Sequence, residues 1–453
     1  MAKLFGTDGV RGVANQYPMT VDFALTLGKA CGQKLCQNLK KAAIAKDTRL
    51  SGDMLENALI AGLTSQGVDV LKLGVIPTPA LTSLASSLSV DMVIMITASH
   101  NPYTDNGIKL LNGQGDRFDD IIIAEIENMV TQNQFEFSSD FIGKTIDYPN
   151  AALTYMEKAV KVLQGEKLSG LRVVLDCANG AFSEIMPEVF MKLGAGVITI
   201  GNQPNGKNIN KDCGSQHTEK LSQMVVETHA QMGIAVDGDG DRIIICDELG
   251  HRLDGDQIIA FLAKILHTEN QLKNNTVVAT IMSNIGLDKY LQTQGIEVYR
   301  SAVGEKNVIL KMREVGANLG GEESGHMVLS DYSRTGDGMI TALVVAKGYL
   351  ANHMKMSELF PVFKAYPCSE VDTYFADKEE LLQAANDEEV LKKADNIRNL
   401  LGDNGQVIVR KSGTEPLIKV KIMGEDYDSI SRYNETIRTG FVKYQIAKTR
   451  VVK

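Results

Sequence analysis

The sequence lacks the features of membrane and secreted proteins. No apolar run approaches the roughly 20 residues needed to span a bilayer, and the opening MAKLFGTDGVRG lacks the basic-then-apolar pattern of a secretory signal. The six cysteines are sparse for a chain of 453 residues and form no CxxC pair, which argues against a disulfide framework. We therefore expect a cytoplasmic protein with reduced thiols and no membrane partner.

Two further absences argue against nucleic-acid binding and against a zinc site. The formal net charge is −9, which leaves the chain without a basic footprint for nucleic acid. None of the seven histidines stands at ligand spacing with a pair of cysteines, so a zinc site is not supported. An acidic chain that binds an anionic substrate must supply a local cluster of cations.

Length and repetition predict several α/β domains. At 453 residues the chain is too long for one compact core, and usual domain sizes predict roughly three or four domains. Residues 42–74, 171–201 and 276–304 share one order: a short apolar strand, a turn, an amphipathic helix, a glycine and a second strand. Strands that alternate with helices indicate parallel-rich sheets covered on both faces.

The last part of the chain differs from these repeats. An acidic, helix-prone segment at 377–401 precedes strand-like residues at 405–424, which predicts a small α+β domain. Together with the other composition changes, this places boundaries near residues 150, 255 and 365, to within several residues. The predicted domains are 1–150, 151–255, 256–365 and 366–453.

A serine follows an apolar strand that we expect at the centre of a sheet. The run VIMIT at 93–97 leads into Ser99 and His100, at the carboxyl end of a strand, where ligand sites of open α/β sheets gather. Lys109 follows ten residues after Ser99 and is able to meet a phosphate or take a proton near it. The local sequence leaves open the alternative that Ser99 caps a helix.

Three aspartates in the run DGDGDR give the strongest local signal. Two carboxylates about 4 Å apart repel by roughly 1 kcal/mol in water and about 4 kcal/mol at an intermediate dielectric, so Asp237, Asp239 and Asp241 in one loop favour a cation. A few hard oxygen ligands suit Mg²⁺ completed by a phosphate. The alternative is an acidic turn between strands. An EF-hand does not fit, because its closing glutamate is missing.

Three more segments carry polar groups suited to a sugar phosphate. The run GEESGH at 321–326 places acceptors and donors between glycines and could hold sugar hydroxyls, or could be an ordinary polar loop. The run RKSGTEP at 410–416 joins two cations, two hydroxyls and a glycine, which predicts a phosphate cradle, with a charged hairpin turn as the alternative. Arg11, in the glycine-rich opening, is available for a phosphate.

In this order, the five segments resemble the α-D-phosphohexomutase family across essentially the whole chain. TASHNP is similar to the family's phosphoserine loop, DGDGDR to its metal loop, GEESGH to its sugar-binding loop and RKSGTEP to its phosphate-binding loop. The resemblance implies an α/β fold of four domains around a central cleft. Three are related α/β domains with mixed sheets, and the C-terminal α+β domain is like the TATA-binding protein.

The resemblance also implies the roles of individual residues in an isomerase that moves a phosphoryl group within a sugar phosphate by way of a phosphoserine. It implies one Mg²⁺ per active site, with the ligands Ser99, Asp237, Asp239 and Asp241. The implied catalytic residues are Ser99, His100, Lys109, Arg11 and Arg242. The implied substrate-binding residues are Glu322, Ser324, His326, Arg410, Ser412, Gly413 and Thr414.

The substrate is implied by the opening FGTDGVRG and by the segment 237–258, which resemble the branch of the family that acts on a hexosamine phosphate. That likeness implies interconversion of glucosamine 6-phosphate and glucosamine 1-phosphate, supplying UDP-N-acetylglucosamine and cell-wall synthesis. A phosphomannomutase/phosphoglucomutase on the same fold is the alternative. The run VGEK at 303–306 departs from the VGDR common in that branch, and Lys lacks the planar fork of Arg. The sequence leaves a homodimer open.

Overall fold

The computed structural model describes residues 4–6, 9–137, 139–412 and 416–452. Domain 1 is a six-stranded sheet in the order β1-β5-β4-β2-β3-β6, with helices on its faces. Strands β2, β3, β4 and β6 are parallel to one another, and β5 is antiparallel to both β1 and β4. Its elements are β1 (Val10–Val13), α1 (Val21–Leu35), β2 (Lys41–Lys46), α2 (Gly52–Thr64), β3 (Asp69–Val75), α3 (Thr78–Leu88), β4 (Met92–Ile96), β5 (Asp105–Asn112), α4 (Asp120–Gln132) and β6 (Thr145–Asp147).

Domain 2 repeats this plan with five strands in the order β11-β10-β9-β7-β8. Strand β7 is parallel to β8 and β9, whereas β10 is antiparallel to β9 and β11. Its elements are α5 (Ala151–Lys161), β7 (Arg172–Asp176), α6 (Ile185–Lys192), β8 (Gly196–Ile200), α7 (Glu219–Thr228), β9 (Met232–Val236), β10 (Ile243–Asp247) and β11 (Arg252–Leu253).

Domain 3 repeats the plan again with four strands in the order β13-β12-β14-β15. Strand β12 is parallel to β13 and β14, and β15 is antiparallel to β14. Its elements are α8 (Gly255–Thr268), β12 (Thr276–Thr280), α9 (Ile285–Thr293), β13 (Glu297–Ser301), α10 (Glu305–Val315), β14 (Leu319–Gly321), β15 (Met327–Leu329), α11 (Gly338–Asn352) and α12 (Met356–Leu359).

Domain 4 is the α+β unit that the sequence predicts. Its four strands, in the order β17-β18-β16-β19, are all antiparallel to their neighbours. Its elements are β16 (Cys368–Phe375), α13 (Lys378–Ala385), α14 (Glu388–Leu401), β17 (Gln406–Lys411), β18 (Leu417–Met423), α15 (Tyr427–Arg438) and β19 (Ile446–Val452). None of the helices in the described part of the chain is long and apolar enough to cross a bilayer.

The predicted α/β class and four-domain organisation are confirmed. The three predicted repeats are the units β2-α2-β3, β7-α6-β8 and β12-α9-β13, each with its two strands side by side and parallel. One continuous apolar core runs through the three α/β domains, while domain 4 has a core of its own. The α/β domains therefore fix one another's positions.

Topology gives three of the predicted motifs the same place in their sheets. The loop with Ser99 joins β4 to β5, the loop with Asp237 joins β9 to β10, and the loop with Glu322 joins β14 to β15. Each loop connects a strand of the parallel part to its antiparallel neighbour. The fourth motif lies between β17 and β18 of domain 4.

Candidate active site

The Ser99 hydroxyl lies inside the protein, against the acidic loop of domain 2. Strand β4 is buried along its whole length and ends at Ile96. Ser99 is only 1% exposed, and its Oγ donates a 2.6 Å hydrogen bond to Asp237 Oδ2. The next element is a strand, β5, so Ser99 caps no helix. The structure does not support the capping alternative.

The three aspartates of the β9–β10 loop converge inside the protein. One carboxylate oxygen from each of Asp237, Asp239 and Asp241 lies within 4.8 Å of the other two, and all three residues are buried. Among the described residues, Asp239 Oδ1 is buried without a hydrogen-bond partner. Burial, followed by the charges of Asp241 and Asp239, raises the pKa of Asp237 to about 8. An acidic surface turn has none of these properties, so the arrangement fits a metal ion.

A lysine from domain 1 balances part of this charge. Lys109 Nζ, on β5, donates to Asp239 Oδ2 at 2.8 Å and to Asp241 Oδ2 at 3.1 Å. The antiparallel register of β4 and β5 sets Lys109 opposite Met95, and so brings this side chain to the end of the sheet that carries Ser99. Thr78 Oγ1, at the start of α3, donates to the same Asp239 oxygen at 2.6 Å.

His326 joins the metal loop to the predicted sugar-binding loop. Its Nε2 lies 3.0 Å from Asp241 Oδ1, and its Nδ1 lies 3.3 Å from Glu322 Oε2. Burial alone would lower the pKa of His326, but Asp241 and Glu322 outweigh burial and raise it well above the usual value. The imidazolium therefore connects carboxylates of domains 2 and 3.

Three other predicted residues, His100, Arg11 and Arg242, lie near one another at the Ser99 loop. His100 Nδ1 lies 3.3 Å from Ser99 Oγ. Burial, together with the positive charges of Arg242 and Arg11, lowers the pKa of His100 to about 3. The imidazole is thus neutral at pH 7, while Arg11 on β1 and Arg242 in the loop before β10 bring positive charge to Ser99.

The loop between β14 and β15 contacts two neighbouring elements. Glu322 Oε1 accepts a 2.9 Å hydrogen bond from the Gly304 amide, and Glu323 pairs with Lys421 of β18 at 2.6 Å. Although burial acts to raise the pKa of Glu322, hydrogen bonding and charge from His326 lower it overall. Ser324 is half-buried at the tip of the turn. The loop therefore contacts domain 4 through Glu323 and domain 2 through His326.

The VGEK segment at 303–306, which replaces the VGDR common in the resembling branch, faces domain 1. Glu305 accepts a 2.6 Å hydrogen bond from the Gly336 amide and pairs with Arg117 at 3.2 Å. Lys306 Nζ lies 2.9 Å from Asp120. In this structure, both charged side chains hold domain 3 against domain 1.

Arg410 stands at the end of β17, on the rim of a cavity between domains 3 and 4. The cavity has a volume of about 400 Å³ and is also lined by Ala302 and Val303. The Ser412 amide donates to Leu417 O at 2.9 Å, next to the antiparallel pairing of β17 and β18, which is compatible with a phosphate cradle and with a charged turn alike. Two predicted substrate contacts, Gly413 and Thr414, lie outside the described residues.

The structure brings together ten of the predicted site residues around Ser99 and the aspartates, with Ser324 in the same turn as one of them, and it places Arg410 and Ser412 on domain 4. The ten are Arg11, Ser99, His100, Lys109, Asp237, Asp239, Asp241, Arg242, Glu322 and His326. Sequence reasoning missed Thr78, which lies 161 positions from Asp239 in the chain. Its local sequence, Pro77-Thr78-Pro79, carries no recognisable signal.

Comparisons with known proteins match this architecture domain by domain. Four phosphoglucomutase/phosphomannomutase family models match: alpha/beta/alpha domain I at residues 2–137, domain II at 153–250, domain III at 254–366 and the C-terminal domain at 371–440. The phosphoglucosamine mutase of Pelobacter propionicus is 43% identical over 445 residues, which cover 96% of this chain and 98% of that protein. Seven further proteins of that name are 42–44% identical.

Solved structures agree with these matches. A phosphoglucomutase/phosphomannomutase family protein from Burkholderia thailandensis superposes with a TM-score of 0.81 at 24% identity, over 98% of this chain and 99% of that one. The N-acetylphosphoglucosamine mutase of Aspergillus fumigatus, solved in complex with GlcNAc-6P and magnesium, gives a TM-score of 0.61 at 17% identity, over 88% of this chain and 82% of that one. At these identities the structures show a common fold.

Proposed function

Because the chain belongs to the phosphoglucomutase/phosphomannomutase family, we propose that it is a phosphoglucosamine mutase working through a phosphoserine at Ser99. It interconverts glucosamine 6-phosphate and glucosamine 1-phosphate, and so supplies UDP-N-acetylglucosamine synthesis. The observation that carries the proposal is the buried Ser99 hydroxyl, 2.6 Å from Asp237 in a cluster of carboxylates. The names of the relatives at 42–44% identity favour the amino sugar over the alternative, a phosphomannomutase/phosphoglucomutase.

The reaction proceeds in two matching halves. Phosphorylated Ser99 gives its phosphoryl group to the free hydroxyl at C1 or C6 of the bound sugar monophosphate. The bond from phosphorus to Ser99 Oγ breaks, a bond to the sugar oxygen forms, and the hydroxyl proton passes to a base. The bisphosphorylated sugar then turns round and returns its other phosphoryl group to Ser99.

Asp237, Asp239 and Asp241, together with an oxygen of phosphorylated Ser99, would hold the metal ion, which we assign as Mg²⁺. Buried carboxylates in small number are the ligands that Mg²⁺ prefers when a phosphate completes its shell. Bound Mg²⁺ supplies charge that offsets the negative charge of the transferring group. The lone pairs of Asp239 Oδ1, left without a donor among the described residues, suit this role.

Side chains around Ser99 also offset the negative charge of the transferring phosphoryl group and exchange the hydroxyl proton. Arg242 and Arg11 stabilise the phosphoryl oxygens during transfer, since guanidinium groups match phosphate geometry. We assign the exchange of the proton of the attacking or leaving hydroxyl to Lys109, which pairs with two aspartates, with His100, 3.3 Å from Ser99 Oγ, beside it.

The remaining predicted residues hold the part of the substrate that is not reacting. Glu322 and Ser324 bind ring hydroxyls or the C2 ammonium, and His326 orients Glu322 from 3.3 Å away. The distal phosphate is anchored by Arg410, Ser412, Gly413 and Thr414. A cradle on a separate domain can serve either phosphate as the sugar turns round.

The substrate proposal is tested by comparing hexose phosphates. We expect kcat/KM for glucosamine 6-phosphate to exceed that for glucose 6-phosphate and mannose 6-phosphate by about tenfold, the discrimination that one changed functional group gives. A coupled assay with the purified protein measures the ratio, and Ser99→Ala prepared in parallel reports any contaminating host mutase. Equal or reversed ratios would select the phosphomannomutase/phosphoglucomutase alternative.

The phosphate cradle is tested at Arg410. Arg410→Ala should raise KM for the monophosphate and also lower kcat, with kcat/KM reduced about 10- to 100-fold, because a lost charged hydrogen bond is worth about 1.5–3 kcal/mol and anchoring the remote end positions the reacting one. Arg450→Ala, on β19 at the opposite edge of the same sheet, is the matched control. Steady-state kinetics in which both variants behave alike would remove Arg410 from the site.

Location and assembly complete the proposal. A cytoplasmic location remains a prediction that cell fractionation tests. A homodimer remains a prediction that sedimentation analysis of the purified protein tests.

A further inference from the structure

Ser99 adopts a backbone conformation that its surroundings must hold in place. Its φ is +53°, in the left-handed region where a residue with a Cβ loses roughly 1–2 kcal/mol. This conformation directs Oγ toward Asp237 at 2.6 Å. The loop that carries it, residues 97–104, lies outside regular secondary structure. Two side chains from outside the loop add hydrogen bonds to its backbone.

One of these side chains comes from domain 2. Asn210 Nδ2 donates to the Ser99 carbonyl oxygen at 2.8 Å and to the Asn101 carbonyl oxygen at 3.1 Å. Asn210 is only 8% exposed, and its own amide donates to Ala178 O at 2.8 Å. Both protons of the carboxamide nitrogen thus reach the Ser99 loop from a different domain.

The second side chain comes from domain 1 and reaches the same two carbonyls. Arg49 Nη2 donates to Ser99 O at 2.8 Å and to Asn101 O at 2.8 Å. Its Nη1 donates to Asp105 O at 3.0 Å and also to Pro102 O. The guanidinium therefore holds the loop at three backbone positions and the first residue of β5 at a fourth.

The remaining N–H group of Arg49 links these hydrogen bonds to the residues that follow β2 and β4. Its Nε donates to Asp47 Oδ2 at 2.9 Å. The same Asp47 oxygen accepts a 2.6 Å hydrogen bond from Thr97 Oγ1, and Thr97 Oγ1 accepts the Ser99 amide at 2.9 Å. All five N–H donors of the guanidinium are used, which a lysine with three donors could not reproduce.

The metal loop packs against the same point. A Cβ added to Gly238 would lie 2.8 Å from Ser99 O and 2.9 Å from Asn210 Nδ2. The Ser99 carbonyl is therefore enclosed by Arg49, Asn210 and the backbone that carries Asp237. Any shift of the Ser99 loop relative to the aspartates must break these contacts.

We propose that Asn210 and Arg49 are positioning residues for phosphoryl transfer, which hold Ser99 Oγ at the carboxylate cluster by clamping the Ser99 and Asn101 carbonyls from two domains. The proposal rests on the proposed function. Neither side chain touches the substrate in this role; both act through the backbone of Ser99. Because small misplacements of a reacting group are costly to rate, the clamp acts mainly on kcat.

Asn210→Ala tests the clamp and leaves the Arg49–Asp47 ion pair intact. We expect kcat to fall at least tenfold while KM for the monophosphate changes less than threefold, since the distal phosphate and ring contacts are untouched. Hydrogen exchange measured by mass spectrometry should rise in the peptide that carries Ser99. Asn210→Asp, of the same size but with no donor to offer the carbonyls when ionised, should have effects at least as large.

A matched control exists in domain 4. Asn434 Nδ2 also donates to two backbone carbonyls, those of Ser369 at 2.9 Å and Val420 at 3.1 Å, and it is buried as well, with 1% of its surface exposed. Asn434→Ala should cost similar thermal stability but leave kcat and the exchange of the Ser99 peptide unchanged. If Asn434→Ala and Asn210→Ala lowered kcat alike, a general loss of stability would explain both, and the positioning role would be overturned.

Arg49→Lys is a second test of the positioning role. It should raise exchange in the Ser99 peptide and lower kcat more than KM, as Asn210→Ala does. Faster exchange in both variants with unchanged kcat would overturn the positioning role while leaving the mutase intact. A wild-type protein without mutase turnover would overturn the proposed function, and the exchange experiment would still decide whether Asn210 and Arg49 hold the loop.

Discussion

Ser99→Ala should lose mutase turnover by at least about 10³-fold, because a phosphoenzyme cycle has no alternative acceptor once the nucleophile is removed. Substrate binding should persist, since the residues that grip the ring and the distal phosphate are unchanged. The fold should also persist, because the lost hydrogen bond to Asp237 is worth only about 1 kcal/mol. A coupled assay measures turnover, and calorimetric titration with glucosamine 6-phosphate measures binding.

The same serine should carry phosphate in the wild-type protein. Intact mass and peptide sequencing of the purified protein should find part of it phosphorylated at Ser99, because an unphosphorylated enzyme cannot begin the cycle without a bisphosphorylated sugar. Ser183→Ala is the matched control, since it removes another buried hydroxyl, one that donates to Gly180 O at 2.7 Å. A Ser99→Ala protein with near-normal turnover, or phosphate found only on another residue, would refute the mechanism even though the fold is right.

Local sequence was enough to predict the strands and loops that carry the site. The run VIMIT predicts a central strand because its residues are almost all apolar. The structure agrees, since every residue of β4 is buried. The spacing of Asp237, Asp239 and Asp241 on alternate residues predicts convergence. Their oxygens do lie within 4.8 Å of one another, in a turn that the hydrogen bond from the Gly240 amide to Asp237 O closes. Residues whose chemistry depends on near neighbours in the chain were therefore found.

The supports of Ser99 could not be predicted in this way. Arg49 lies 50 positions and Asn210 lies 111 positions from the serine whose carbonyl they bind, and neither stands in a motif of charged or polar residues aimed at a substrate. Their role exists only once two domains are folded against each other. His326 likewise reads as a lone histidine in sequence, and its two carboxylate partners appear only in the structure.

The structure of the acidic segment at 377–401 was predicted in part. Its composition predicts a helix, and the structure has two, α13 and α14, separated at Asn386 and Asp387. Asp387 caps α14 by accepting from the amides of Glu389 and Val390. An aspartate that follows an asparagine is a readable helix-start signal, so this break was within reach of the sequence.

Removing divalent metal should have the second large effect. EDTA should lower turnover by at least about 10³-fold, and excess Mg²⁺ should restore it, because charge stabilisation by a metal is a main component of phosphoryl transfer. The cluster itself gives the physical reason: burial and neighbouring carboxylates raise the pKa of Asp237 to about 8, although Lys109 already pairs with Asp239 and Asp241. A bound cation would offset the repulsion among the three buried carboxylates that this raised pKa reflects.

Asp239→Asn separates a metal site from an acidic structural turn. It should lose turnover strongly without lowering the melting temperature of the metal-free protein, since it removes repulsion while its amide oxygen can still accept from Thr78 and Lys109. Mg²⁺ should raise the melting temperature of the wild type but not of this variant. Asp247→Asn alters a buried aspartate whose carboxylate accepts from the amides of Leu249 and His251 and lies 3.0 Å from His251 Nδ1, and it should keep both turnover and the Mg²⁺ shift. Full turnover in chelator, or a destabilised Asp239→Asn protein that turns over normally, would leave the triad with a structural role alone.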